Sequence, residues 1–106
     1  MREDVATDLA HIARALANPS RIRMLQWLSS QGETCVCDMA DIMQISQPSV
    51  SKHLAALREA GLVSFRRDGL KYMYQSVEPV SSQVIEILWL AAYGVERSTG
   101  LREVRQ

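Results

Sequence analysis

Cys35 and Cys37 are the only two cysteines in the chain, and a single residue separates them. The apolar spacing predicts a short helix from Thr34 to Met43, whose positive dipole end would favour the thiolate form of both side chains. Thiolates bind soft ions, so the pair favours thiol chemistry or metal binding over a structural disulfide. Residues two apart in a regular helix point about 200° apart, so both sulfurs can share one ion only if the first turn deforms.

The segment from Ile45 to Val63 has the pattern of a helix that docks on a core. Ser46 is a typical N-cap residue, Pro48 suits the first turn, and Gly61 suits the C-terminal stop. Apolar residues recur on one face at i, i+4 and i+7, namely Val50, Leu54 and Leu57.

The opposite face and the first turn of this helix carry short or flexible donors and acceptors instead of the usual Glu/Lys pairs. Such groups read base edges and hold phosphates. We predict that Gln47, Ser49 and Ser51 contact bases or nearby phosphates, and that Lys52 and His53 contact mainly the DNA backbone. The full predicted set on this helix is Ser46, Gln47, Ser49, Ser51, Lys52 and His53.

Residues 63–76 have the pattern of a β-hairpin, with aromatic and β-branched flanks around Asp68-Gly69. Its tip gathers Arg66, Arg67 and Lys71, which only Asp68 opposes. A basic hairpin directly after a recognition helix is the plan of a winged helix-turn-helix. We therefore predict that these three cations hold backbone phosphates from the wing.

Charge distribution supports a DNA-binding face although the 106-residue chain has no net charge, with twelve cations and twelve anions. From Ile45 to Ser76 there are five cations and two anions, while acidic residues concentrate elsewhere. One basic face on a neutral protein suits reversible, salt-sensitive binding to double-stranded DNA. The length predicts one domain over residues 1–106.

The N-terminal residues Met1–Asp4 lack the apolar stretch of a signal peptide. The longest apolar run, Ile87–Tyr93, is far shorter than the ~20 residues that span a bilayer. We therefore expect a soluble, cytoplasmic protein with no membrane partner.

Three further helices are predicted to frame the motif. The first runs from about Asp4 to Ala17, the second opens at Asn18-Pro19 and breaks at Gln31-Gly32, and the last opens at Glu78-Pro79. The expected fold is mainly α with a β-hairpin wing, in the order α-α-α-α-β-β-α. Residues 98–106 are polar and are predicted to be a frayed tail.

The last helix is apolar on more than one face, through Leu88, Trp89 and Leu90 among others. A domain of this size cannot cover all of that surface internally, so we predict a homodimer through the terminal helices. A two-fold dimer would present two recognition helices to a roughly palindromic operator, with half-sites ~10 base pairs apart or a multiple of that. The alternative is a well-buried core helix.

Four segments in the family's order and spacing make the chain resemble the ArsR/SmtB family of metal- and metalloid-responsive repressors. They are Ala15–Arg23, Thr34–Ala40, Ser46–Leu54 and Leu57–Val63. The resemblance covers about Leu9 to Val77. It implies a homodimeric winged helix-turn-helix repressor that sits on its own operator and leaves when an inducer binds.

The resemblance also implies an inducer site, because Cys-Val-Cys-Asp at the start of the third helix resembles the sensor of arsenite-responsive and cadmium/lead-responsive members. Cys35 and Cys37 would then be the ligands of As(III) or Sb(III), without any constitutive cofactor. Ala40 stands where some relatives carry a third cysteine, and no N-terminal cysteine is present. Two thiols suit trivalent arsenic or antimony with water, hydroxide or a small thiol as third ligand, or a monosubstituted arsenical. Cd(II), Pb(II) and Hg(II) remain alternatives.

Other interpretations of the cysteines are inert packing and a redox switch. His11 could supply a third ligand across the dimer, but a partly buried structural histidine is the simpler interpretation. Pro79–Arg97 offers only Glu86 and Glu96 as acidic groups, so a zinc or cobalt site between the last helices is not expected.

Three other function classes are weaker. A dimeric interaction module without DNA binding should have lost Gln47, Lys52 and the basic wing. A sequence-independent DNA-binding protein would discriminate poorly between a palindrome and random DNA. An enzyme is not expected, since the chain has two separated histidines, no paired acids in a likely cleft and no glycine-rich phosphate loop.

Overall fold

The computed structural model of the chain describes residues 3–99. Over this range the chain forms helices and strands in the predicted order, with one short strand added before the third helix. The elements are α1 (Glu3–Ala15), α2 (Pro19–Gln31), β1 (Thr34–Cys35), α3 (Val36–Met43), α4 (Gln47–Glu59), β2 (Val63–Asp68), β3 (Lys71–Ser76) and α5 (Val80–Thr99). The predicted winged helix-turn-helix fold is confirmed.

Helix α2 begins and ends as its sequence predicts. The side chain of Asn18 accepts hydrogen bonds from the backbone N–H groups of Ser20 at 2.9 Å and Arg21 at 3.3 Å. Gly32 follows the helix with φ +92°, a conformation that a side chain would strain. These two residues fix the length of α2 and therefore the point at which the chain turns towards β1.

Helix α3 starts two residues later than predicted. Thr34 and Cys35 are extended and pair with β3, with Thr34 opposite Tyr74 and Cys35 opposite Met73. The prediction of a helix from Thr34 was wrong because the partner strand lies about forty residues further along the chain, where no local pattern reveals it. Cys35 is consequently the N-cap of α3, with φ −78° and ψ 160°.

The sheet has the strand order β1-β3-β2, and both pairings are antiparallel. The hairpin register runs from Val63 opposite Ser76 to Asp68 opposite Lys71, so Gly69 and Leu70 form its two-residue connection. Gly69 has φ +63°, which explains why glycine suits this position. The predicted hairpin is confirmed, with its turn one residue later than Asp68-Gly69.

Helix α4 docks through the predicted apolar face, since Val50, Leu54 and Leu57 are fully buried. Burial of such a side chain contributes roughly 1.5–3 kcal/mol. The core around them draws on α2, α3, α4, β2, β3 and the connections that follow α1 and α4. Its buried members are Leu16, Met24, Leu25, Leu28, Met39, Ala40, Val50, Leu54, Leu57, Leu62, Val63 and Tyr74.

Helix α5 keeps much of its apolar surface exposed in the single chain. Trp89 is 71% exposed, so the alternative of a well-buried core helix does not hold within one protomer. On α1, Leu9 is 49% exposed. The exposed large apolar residues of α5 include Ile87, Leu88, Trp89, Leu90 and Tyr93.

Among the described residues, no helix combines the length and hydropathy needed to cross a membrane. Of the predicted frayed tail at 98–106, Ser98 and Thr99 still belong to α5, and 100–106 lie outside the described residues.

Candidate functional site

The two cysteines meet at the junction of β1 and α3, where a disulfide joins their sulfur atoms. Their Cα atoms are 5.4 Å apart. Cys35 is 2% exposed, and its Sγ accepts a hydrogen bond from the backbone N–H of Asp38 at 3.1 Å. Because Cys35 has extended backbone, the two sulfurs converge without any distortion of α3. The prediction that the first turn must deform was therefore wrong.

Asp38 adds a carboxylate to this pair. A carboxylate oxygen of Asp38 and the sulfurs of Cys35 and Cys37 all lie within 4.8 Å of one another. Asp38 is exposed and lies in the first turn of α3, where a negative charge is favourable. When the disulfide is reduced, the site offers two sulfur ligands and one oxygen ligand, a set compatible with soft and borderline ions.

A cavity of about 310 Å³ opens beside the cysteines, and we call it the thiol cavity. It is bounded by the start of α3, the first turns of α4 and the tip of the hairpin. The lining residues are Cys35, Val36, Cys37, Gln47, Ser51, Leu70, Lys71 and Tyr72. The sulfur pair therefore shares one space with two residues of α4 and one cation of the wing that were predicted to contact DNA.

Trp27 of α2 lies close to the same junction. Its indole Nε1 donates a hydrogen bond to the hydroxyl of Thr34 at 3.2 Å, and Thr34 directly precedes Cys35. Thr34 in turn donates to the carbonyl of Gly32 at 3.0 Å. The fluorescent side chain of Trp27 is therefore hydrogen-bonded to β1, one residue before the disulfide.

At the start of α4, Ser46 is the N-cap residue of the helix. Its hydroxyl accepts a hydrogen bond from the backbone N–H of Ser49 at 3.3 Å, which confirms the predicted N-cap. The same hydroxyl donates to the hydroxyl of Ser49 at 3.0 Å. These two predicted DNA contacts are therefore engaged with each other in the isolated protomer.

The remaining predicted α4 contacts divide into two environments. Gln47, Ser51 and Lys52 are exposed. His53 is half-buried against α2, where its Nδ1 accepts a hydrogen bond from Nε of Arg21 at 3.2 Å. Partial burial lowers the pKa of His53, and the positive charge of Arg21 lowers it further. His53 therefore holds α4 against α2 as a neutral side chain at neutral pH.

All three predicted wing cations are exposed, and each has a distinct environment. Arg66 forms a bidentate ion pair with Glu33, with Nε to Oε2 at 2.8 Å and Nη2 to Oε1 at 2.7 Å. The guanidinium of Arg67 lies 5.1 Å from the ring centroid of Tyr72, within cation-π range. Lys71 lines the thiol cavity.

Sequence patterns missed several residues of this surface. Glu33 gave no local sign because its partner Arg66 is 33 residues away. Leu70 and Tyr72 were assigned only to the hairpin, although they close the thiol cavity. Asp38 was noted within the Cys-Val-Cys-Asp segment, but not as a possible ligand.

Curated relatives and a family model match the chain over this surface. Residues 18–64 match the model described as bacterial regulatory protein, arsR family. The arsenic resistance transcriptional regulator ArsR1 of Pseudomonas putida is 36% identical over 77 residues, which cover 73% of this chain and 59% of that protein. The arsenical resistance operon repressor of Staphylococcus xylosus is 43% identical over 68 residues, 64% of either chain. A cadmium resistance transcriptional regulatory protein CadC homolog of Staphylococcus aureus is 32% identical over 78% of this chain and 69% of its own length. The chain thus spans less than two thirds of the length of the Pseudomonas putida and Staphylococcus xylosus proteins.

Solved structures share the fold. One is the homodimeric winged helix-turn-helix DNA-binding domain of a possible ArsR-family transcriptional regulator from Mycobacterium bovis, with a TM-score of 0.77 and 28% identity over 84% of this chain and 82% of that one. Another is the antimony-specific transcriptional repressor AntR, with a TM-score of 0.75 and 25% identity over 91% of this chain and 86% of that one.

Proposed function

Because this chain belongs to the ArsR family of bacterial regulatory proteins, we propose that it is a homodimeric transcriptional repressor that binds operator DNA and is released by trivalent arsenic or antimony. Helix α4 and the wing are the DNA-contacting elements in this proposal, and Cys35 and Cys37 hold the inducer. The operator would be roughly palindromic, to match the two-fold axis of the dimer.

The observation that carries the proposal is the shared wall of the thiol cavity. Cys37, Gln47 and Lys71 line the same space, although they lie on three different elements. An ion bound to the sulfurs would therefore change the surroundings of side chains that contact DNA, without any long relay through the protein. This closeness supports inducer release as the purpose of the cysteine pair.

The exposed polar surface supports DNA as the partner. Gln47, Ser51 and Lys52 project from α4 into solvent, and Arg67 and Lys71 are exposed on the wing. A helix of this kind enters the major groove while the neighbouring cations hold phosphates. Arg66 would join them after exchanging the carboxylate of Glu33 for a phosphate.

The exposed apolar surface of α5 supports the homodimer. Ile87, Leu88 and Leu90 are 64%, 39% and 59% exposed in the single chain. Apolar side chains clustered in this way on a soluble protein indicate an interaction surface. The homodimeric state of the Mycobacterium bovis domain supports the same assembly here.

Arsenic resistance in the relatives from Pseudomonas putida and Staphylococcus xylosus, and the antimony specificity of the similar repressor structure, support a trivalent metalloid as inducer. Both cysteines line the thiol cavity, from which a third ligand could reach an ion held by the sulfurs. Arsenic and antimony in this oxidation state favour sulfur ligands, as soft ions do.

Two observations favour alternatives to trivalent arsenic or antimony as the signal that the cysteine pair senses. The disulfide between Cys35 and Cys37 favours a thiol-redox response, in which oxidation replaces ion binding. The carboxylate of Asp38 favours a soft divalent ion such as Cd(II), which accepts oxygen together with sulfur. The CadC homolog among the relatives supports the second alternative.

The test is fluorescence anisotropy of the reduced protein on DNA from its own promoter, titrated with arsenite, antimonite, Cd(II) and a thiol oxidant. Release by arsenite or antimonite that Cys35→Ser/Cys37→Ser ignores is the expected result. Ser29→Ala, which removes a hydroxyl of α2 outside the lining of the thiol cavity, is the control for general damage. Binding that all four agents leave unchanged would refute the proposed inducer, and equal affinity for promoter and random DNA would refute the proposed operator recognition.

A further inference from the structure

We infer that Leu70, at the tip of the wing, enters the DNA minor groove beside each half-site and selects base pairs that lack the exocyclic amino group of guanine. This inference rests on the proposed operator binding and adds a second point of sequence recognition to that of α4. Leu70 is 93% exposed, more than any other large apolar residue in the described part of the chain. A partner that covers it would remove apolar surface from water without disturbing the core.

The wing holds Leu70 at a fixed place. Gly69 and Leu70 form the two-residue connection of the hairpin, and Nη2 of Arg67 donates a hydrogen bond to the carbonyl of Gly69 at 3.3 Å. The same guanidinium packs over the ring of Tyr72, 5.1 Å from its centroid. The turn is thus supported from within the hairpin, so Leu70 meets a partner without the entropy cost of ordering a loose loop.

The charges around Leu70 favour a polyanion as this partner. Arg66, Arg67 and Lys71 are exposed near the tip, and Asp68 is the one acidic residue of the hairpin. An apolar protein surface would have to cover these cations together with the leucine, which is costly because they would lose their hydration. Phosphates attract the cations, whereas a leucine side chain cannot bind a phosphate. Leu70 therefore has to reach past the phosphate strand, to the sugars and base edges of a groove.

The position of the tip relative to α4 indicates the minor groove. Leu70, Gln47 and Ser51 line the thiol cavity together, so the hairpin tip lies beside the first turns of α4. When α4 occupies the major groove, a neighbouring element on the far side of one sugar–phosphate strand meets the minor groove. Lys71 lines the same cavity and is placed to hold that strand. The base pairs below Leu70 are then about half a helical turn, ~5 base pairs, from those that α4 contacts.

The chemistry of leucine decides which base pairs fit below it. In the minor groove an A·T pair presents only acceptors, whereas a G·C pair adds the amino group of guanine as a donor. Leu70 has no acceptor, so an amino group that it covers would lose water without gaining a hydrogen bond. The minor groove of A·T tracts is also narrow, which brings both sugar walls close to an apolar side chain. Leu70 therefore favours A·T pairs.

Inosine separates this minor-groove preference from recognition in the major groove. An inosine·cytosine pair keeps the major-groove groups of G·C but lacks the exocyclic amino group in the minor groove. Operator duplexes are prepared with A·T, G·C or inosine·cytosine at each position outside the α4 contacts in turn, and their affinities are measured by fluorescence anisotropy. At one or two adjacent positions per half-site, we expect G·C to bind about tenfold more weakly than A·T, and inosine·cytosine to bind within about twofold of A·T.

Matched variants assign the preference to Leu70. Leu70→Ala should reduce this discrimination to less than about twofold and leave the salt slope unchanged, whereas Lys71→Ala should reduce that slope by about 1. Leu70→Asn has a similar shape and supplies a carbonyl acceptor for the guanine amino group, so it should raise the affinity for G·C relative to A·T. Val77→Ala truncates an apolar side chain that is 37% exposed at the opposite end of the hairpin, and it should keep the full discrimination.

The absence of any position with an amino-group penalty, an inosine·cytosine pair that binds as weakly as G·C, or a discrimination that Leu70→Ala leaves intact would overturn the inference. The proposed function is judged separately, by the affinity for promoter against random DNA and by inducer release. Selective, inducible binding to the promoter without any minor-groove preference would keep the repressor and discard this role of Leu70. A penalty that depends on Leu70, in a complex that no inducer releases, would keep the contact and refute the proposed inducer response.

Discussion

The carboxylate of Glu33 holds the guanidinium of Arg66 through two parallel hydrogen bonds of 2.7 and 2.8 Å. This hydrogen bonding lowers the pKa of Glu33 and raises that of Arg66, so both groups stay charged over the physiological range. Glu33 lies two residues before Cys35, and Arg66 lies in the wing. The pair therefore joins the segment that carries the thiol site to the segment proposed to hold phosphates.

Glu33→Gln should strengthen DNA binding, because Arg66 would no longer have to exchange a carboxylate for a phosphate. We expect about a threefold to fivefold gain in affinity at low salt, which shrinks as salt screens the charges. Anisotropy titrations on operator DNA at several salt concentrations measure it. Glu59→Gln makes the same change in net charge at another exposed residue. An equal gain in DNA affinity in both variants would mean that the net charge of the protein causes it and that the ion pair between Glu33 and Arg66 does not.

Gln47→Ala and Lys52→Ala should separate base recognition from phosphate binding. Loss of a side chain that contacts a base edge should relax the preference at one base pair by ~1–3 kcal/mol. Loss of a phosphate contact should instead weaken all sequences alike and reduce the salt slope by about 1. The measurement is affinity for a set of single-base operator variants at two salt concentrations. A uniform loss for Gln47→Ala would contradict its proposed role.

Ile87→Glu/Leu90→Glu should give a monomer, because two charges would have to lose their hydration at the apolar surface of α5. Sedimentation velocity measures the state, and DNA affinity should fall by more than about tenfold since each protomer would bind one half-site alone. Leu70→Glu places a similar charge on the wing, where the side chain is 93% exposed, and should leave the protein dimeric. A double variant that sediments as a dimer would move the proposed interface away from α5.

The ionised carboxylate of Glu78 should stabilise the folded protein, and this stabilisation should be lost in acid. Hydrogen bonds from Ser76 and Ser82 lower the pKa of Glu78 from 4.5 to about 2. Since the folded pKa is the lower one, this stabilisation is complete above about pH 4.5 and is lost as the pH falls towards 2. Glu78→Gln should cost about 0.5 kcal/mol at pH 7, allowing for solvent screening, and progressively less as the pH falls through 2.

Thermal unfolding of both proteins at several pH values measures this difference. Glu86→Gln, at an exposed carboxylate later on α5, is the control. A destabilisation by Glu78→Gln that is the same at pH 2 and pH 7 would show that the carboxylate charge has no part in it.

Much of the fold was predictable because its determinants are local. Asn18 and Ser46 are N-caps within three residues of the groups they bind, and Gly69 supplies the positive φ of the hairpin. The apolar face of α4 follows from the helical repeat alone. Such features depend on short-range sterics and hydrogen bonds, which a sequence shows directly.

The amino-acid sequence by itself determined the type and position of α1, α2, α4, α5 and the hairpin, the polar face of α4, and the presence of two thiols. Only the tertiary structure decided how those thiols are arranged. The pairing of β1 with β3 extends Cys35, brings its sulfur to Cys37 and puts both beside Gln47 and Tyr72. It also brings Glu33 to Arg66. These relationships join residues far apart in the chain, and they form because the packed core fixes the sheet and α4 against each other.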